Sequence, residues 1–96
     1  MNLPNEIINE IIKFARKHDI AKVILFGSRA RGDNTERSDI DIAVSGGDFD
    51  SFYWDIKENF NSLLMFDIVN LDKILSQDFR AEIARDGVML YEHEKV

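Results

Sequence analysis

Cysteine is absent from this 96-residue chain, proline and tryptophan occur once each, and histidine occurs twice. Without cysteine there is neither a disulfide framework nor a thiolate zinc site. His18 and His93 have no partner at ligand spacing, so neither supports zinc or catalytic chemistry. No run of about 18 apolar residues occurs, which excludes a membrane-spanning helix. The opening stretch MNLPNEIINEIIKFARKH has no basic start followed by an apolar block, so no secretory signal is visible. A cytoplasmic location is the expectation. Positive charge is scarce as well: 12 Lys/Arg against 18 Asp/Glu leaves a formal net charge of −6. General nucleic-acid binding, which draws its affinity from Lys and Arg on phosphates, is therefore disfavoured.

The deficit is uneven. Residues 1–37 hold seven Lys/Arg and five Asp/Glu, whereas residues 38–96 hold five and thirteen. The later part is where a divalent cation would find ligands, although most of those carboxylates serve only to keep the surface solvated. The length fits one domain, residues 1–96, with a modest core.

Hydrophobic spacing divides the chain into alternating elements. Leu3, Ile7, Ile8, Ile11, Phe14 and Ala15 recur at helical intervals, with Asn2 and Pro4 as cap and first turn. Lys22–Phe26 is a short apolar run stopped by Gly27 and reads as a buried strand. A helical turn follows from Ser28 to Gly32, then a polar loop through Ser38. Asp39–Val44 alternates polar and apolar residues and reads as a second strand. Past Gly46-Gly47, Phe49 to Leu64 repeats every three or four residues, a helix with an aromatic-rich face. Residues 65–69 read as a third strand, Ser76–Arg85 as a capped helix, and 88–91 as a fourth strand. The expected fold is α/β (α+β), a small mixed sheet with helices packed on one face.

Three features in this framework carry chemistry. Gly27-Ser28 lies where a buried strand meets a helical turn; glycine allows close approach of a ligand, and free N–H groups there favour a phosphate. Asp39 and Asp41 stand two apart in a strand and so share one face, while Ile40 and Ile42 bury the other. Two like charges on one face repel unless a cation lies between them, and rigid oxygen ligands suit Mg²⁺ with phosphates completing its shell. An edge strand charged against aggregation is the plainer alternative. Asp67 is a lone carboxylate inside another apolar strand. Three carboxylates on adjacent strands can hold two metal ions about 3.5–4 Å apart, and Asp67 could accept a proton from an attacking hydroxyl.

A strand, Gly27-Ser28, ten intervening residues and then Asp39-x-Asp41 together resemble the signature of the DNA polymerase beta-like nucleotidyltransferases. The segment GSRARGDNTERSDIDIAV is similar to the form found in the minimal nucleotidyltransferases (MNT), partners of helical HEPN proteins in toxin–antitoxin pairs. The resemblance implies a polymerase beta palm-like core. It implies that Gly27 and Ser28 hold the triphosphate, that Asp39 and Asp41 bind Mg²⁺, and that Asp67 is the third carboxylate. Arg29 and Arg31 fall in the family's often basic turn and would contact the triphosphate. Inactive members often lack the third carboxylate, so Asp67 favours a working enzyme.

The activity so implied is Mg²⁺-dependent transfer of AMP from ATP to a hydroxyl, with a tyrosine of a HEPN toxin as the expected acceptor. The chain would be the antitoxin, and its shortness suggests that the partner supplies the rest of the site. A non-catalytic antitoxin acting by occlusion is the alternative; nucleotidyl transfer to a small molecule such as an aminoglycoside is more distant. Other motifs fail. Arg31-Gly32-Asp33 is a coincidental adhesion tripeptide, residues 33–41 lack the EF-hand glycine and glutamate, and no Lys-Ser/Thr completes a Walker A loop. Trp54 lies about 200° around its helix from Phe52, away from the apolar stripe, and is a candidate partner contact.

Overall fold

The computed structural model describes residues 1–73 and 75–93. Its elements run α1 (Asn5–Lys17), β1 (Lys22–Phe26), α2 (Gly27–Arg31), β2 (Ile40–Ser45), α3 (Phe49–Asn59), β3 (Phe66–Asn70), α4 (Gln77–Asp86) and β4 (Val88–Glu92). The four strands form one sheet in the order β3-β2-β1-β4. β1 is antiparallel to both of its neighbours, whereas β2 and β3 are parallel and joined through α3. Such a parallel step needs a helical crossover, and the aromatic-rich segment supplies it. Among the described residues, no helix is long and apolar enough to cross a membrane.

Strand alternation divides the core in two. Val23, Leu25, Ile40, Ile42, Val44, Phe66 and Ile68 face α1 and α3, meeting Ile11, Ala15, Phe52 and Ile56. Ile40, Ile42, Val44 and Phe52 are all 0% exposed, so a slip of one residue in β2 would bring its carboxylates into this layer. The opposite face carries a smaller cluster in which Phe26 and Ala43 meet Ile83 and Phe79 of α4. The mixed sheet is as expected; the placing of every helix on one face is not, because α4 covers part of the other. Its apolar residues are few, and a small cluster on the site face is enough to bury them.

Several boundaries shift for local reasons. Pro4 itself occupies the cap position of α1, and its carbonyl accepts from Ile7 and Ile8, while Asn2 bonds elsewhere. α2 begins at Gly27 rather than Ser28. α3 stops at Asn59, five residues before Leu64, with Phe60 extended. Asn61 and Ser62 favour turns over helix, and Ser62 Oγ accepts from Leu64 N–H at 3.0 Å. Ser76 caps α4 as its position predicts, accepting from Phe79 N–H at 3.1 Å. Gly87 follows that helix with negative φ, so its freedom is not conformational. A Cβ there would lie 2.7 Å from Ile24 Cγ2, and glycine lets β4 start close against β1.

Candidate active site

The parallel register decides the geometry. Asp41 pairs with Asp67 across the β2–β3 ladder, and Phe26 pairs with Asp41 across β1–β2. In-register neighbours on adjacent strands share a face at a strand spacing of about 4.8 Å. Asp41 and Asp67 are thus side by side on the face opposite α1 and α3. Asp39 lies one residue before β2 rather than within it, because the ladder begins at Ile40, whose N–H bonds to Met65 O at 2.9 Å. Asp39 and Asp67 are exposed and Asp41 is partly buried.

Gly27 closes the other side. Its φ of +72° suits glycine, and a Cβ added there would fall on the Asp41 carboxylate, with Cγ 3.1 Å away. The first residue of α2 therefore lies directly against the central aspartate, and Ser28 follows half-buried. Burial pushes the Asp41 carboxyl above its ordinary range, and repulsion from Asp67 and then Asp39 pushes it further; Arg31 opposes the shift. A cation beside Asp41 would relieve what its neighbours impose. The donor set, three carboxylates and nothing softer, fits Mg²⁺. Among the described residues no three such groups already close on one point, so the carboxylates would be drawn together by the ion.

The two arginines part company. Arg31 is 39% exposed at the rim, 3.1 Å from Asp33 and 3.7 Å from Asp86 of α4. Arg29 is only 4% exposed, and four of its N–H donors go to backbone carbonyls of Asn2, Thr35, Glu36 and Ser38. The expected contact of Arg29 with triphosphate is therefore corrected: its guanidinium is already spent inside the protein. Trp54 is 59% exposed on α3, across the sheet from the carboxylates, and stacks edge-on with Tyr53.

Other residues enter the site that sequence reading passed over. Glu36, Arg37, Asp39, Leu63, Leu64 and Met65 line an open cleft of about 550 Å³. Leu63 and Met65 are among the most exposed large apolar residues, and Met65 lies next to Asp39 across the start of the ladder. Helical rhythm draws Leu63 and Leu64 into α3, which hides their place in the cleft beside Asp39. Glu82 of α4 adds a further negative charge that Asp41 senses.

A buried strand, a glycine against a carboxylate, a second carboxylate in register with it and a third just before the ladder define a nucleotidyltransferase core. The family model "Polymerase beta, Nucleotidyltransferase" matches residues 9–96, and the chain belongs to that family. Among relatives, MJ0604 of Methanocaldococcus jannaschii, which carries the provisional name protein adenylyltransferase, is 54% identical over 46 residues. That match covers 47% of this chain and 45% of the relative, so it spans about half of each. A solved toxin–antitoxin structure with AMP-PNP superposes with a TM-score of 0.72 at 28% identity, covering 91% of this chain and 74% of that one. A second, of a tri-AMPylated Shewanella oneidensis HEPN toxin with its MNT antitoxin, gives 0.66 at 25% identity, covering 93% and 72%. The expected resemblance to minimal nucleotidyltransferases and the mixed-sheet fold are both borne out.

Proposed function

We propose that this chain is a Mg²⁺-dependent nucleotidyltransferase that moves AMP from ATP to a hydroxyl of a HEPN-type partner, acting as its antitoxin. The observation that carries the reading is the tight contact of Gly27 with Asp41, itself paired with Asp67. The missing side chain at Gly27 is what lets Asp41 lie against the start of α2, so a phosphate chain held by the N–H groups there would run beside the cation ligands. Asp39, Asp41 and Asp67 would hold Mg²⁺, in one or two ions, which when bound supplies charge neutralisation at the phosphates. Gly27 and Ser28 bind the triphosphate through backbone N–H and hydroxyl donors. Arg31, exposed at the rim and within electrostatic reach of Asp41, offsets charge on the departing pyrophosphate. Asp67, on the edge strand, accepts the proton as the acceptor oxygen bonds to the α-phosphorus. The names of the Methanocaldococcus relative and of the AMPylated complex support adenylyl transfer to protein; a tyrosine hydroxyl is the acceptor that the family resemblance implies.

The test is to incubate the chain and a candidate HEPN partner with Mg²⁺ and α-labelled ATP. Label should appear on the partner and disappear with Asp39→Ala and Asp41→Ala. Neutralisation of the toxin that survives both substitutions would favour simple occlusion instead.

A further inference from the structure

Arg29 is the one buried charged side chain among the described residues, and no carboxylate neutralises it there. Taking a guanidinium out of water costs several kcal/mol unless its donors are filled. Its Nε donates to Ser38 O at 3.0 Å and Nη1 to Asn2 O at 3.2 Å. Nη2 donates to Glu36 O at 3.2 Å and to Thr35 O at 3.5 Å. Three of these carbonyls belong to a single turn, residues 35–38. That turn is closed on itself by Thr35 N–H to Ser38 Oγ at 2.9 Å and Ser38 N–H to Thr35 O at 3.2 Å. Carbonyl dipoles aimed at one point repel one another, so this turn needs a cation at its centre.

The residue after the turn is Asp39. It is exposed and precedes the ladder, so the sheet anchors it from one side only, through Ile40 N–H to Met65 O. The other anchor is the turn that Arg29 holds. We propose that Arg29 is a positioning residue whose buried fork fixes the carbonyls of residues 35–38 and so sets the backbone presenting the Asp39 carboxylate. The same side chain ties in the N-terminal segment, whose Asn2 N–H returns a bond to Arg29 O at 2.8 Å. Lysine, a point charge with three donors on a flexible stem, cannot reproduce this planar array. The role rests on Asp39 being a metal ligand.

The decisive measurement is Mn²⁺ affinity, by electron paramagnetic resonance, of the chain loaded with AMP-PNP, beside AMP-PNP affinity in EDTA. Arg29→Lys should weaken Mn²⁺ binding 10–100-fold, as loss of an outer partner of a metal ligand does. Metal-free nucleotide affinity should stay within about twofold, a split that general loosening of the fold would not produce. Ser38→Ala, a change at a half-buried hydroxyl that opens the turn but keeps its carbonyls, should weaken Mn²⁺ about two- to fivefold. Wild-type Mn²⁺ affinity in a folded Arg29→Lys chain would overturn the proposal. If that variant does not fold by circular dichroism, unchanged affinity in Ser38→Ala overturns it. Asp39→Asn separates the underlying reading: were it to bind Mn²⁺ like wild type, the metal assignment itself would fall, and this role with it.

Discussion

Asp41 on β2 and Asp55 on α3 are the same side chain on opposite sides of one sheet, in opposite surroundings. Asp55, 9% exposed, accepts from His18 Nε2 at 2.7 Å, Asn59 Nδ2 at 2.7 Å and Lys17 Nζ at 2.9 Å. Those partners hold its carboxyl well below the ordinary range. Asp41 has two other carboxylates and a glycine for company, and its carboxyl is pushed up by burial and repulsion. One aspartate ties the end of α1 to α3 and supports the fold; the other works against the fold where ligand chemistry is expected. Local conflict of this kind gathers at functional sites, because the rest of the structure holds it in place.

The sharpest way to break the comparison is Asp41→Asn. Transfer of labelled AMP should fall by about 10³-fold or more, the several kcal/mol that metal-held charge stabilisation supplies. The melting temperature of the metal-free protein should stay level or rise, since a repelling charge is removed. A clear fall in that temperature would contradict the account of the site as frustrated. Next in size is Gly27→Ala, which meets both the positive φ and the Asp41 carboxylate. A loss of about 1–3 kcal/mol in denaturant unfolding is expected, with transfer largely abolished.

Asp55→Asn reverses the pattern. Transfer should persist while calorimetry shows the melting temperature lowered by roughly 5 °C, the loss of charge-assisted hydrogen bonds in a small domain. The pH dependence follows the same sign. A carboxyl held low when folded contributes stability that is present above its unfolded value of 3.8 and is lost progressively as pH falls below it. The gap between wild type and Asp55→Asn should therefore close in acid; a gap that widened there would contradict the ion-pair account. Smallest is Trp54→Ala, exposed on α3: unfolding free energy should change by less than about 0.5 kcal/mol. Calorimetry should find weaker partner binding, and an unchanged dissociation constant would remove Trp54 from the interface.

Much of the site could be read from the chain because its signals are local. Alternation around Ile40 and Ile42 put Asp39 and Asp41 on the face away from the core, and Gly27 marked the end of a buried strand. Asp67 stood out as a carboxylate within an apolar run. Arg29 was not legible in the same way. An arginine in a polar, basic segment looks like a surface group or a phosphate contact, and nothing nearby in sequence shows that residues 35–38 will fold over it. Leu63 was misread for a related reason. Three-residue spacing continued through it, but Asn61 and Ser62 had already ended the helix.

Strand and helix periods, the glycine and the three carboxylates follow from the order of side chains, because solvent sorts apolar from polar residues within a few positions of each other. That Asp67 falls beside Asp41 does not follow from that order. It depends on β3 lying parallel to β2 in the register that buries Ile40, Ile42, Phe66 and Ile68 together. The folding of residues 35–38 around Arg29 was settled at the same level, by the need to fill donors of a buried cation. Local pattern set which groups the protein carries; burial shared between distant segments set which of them meet.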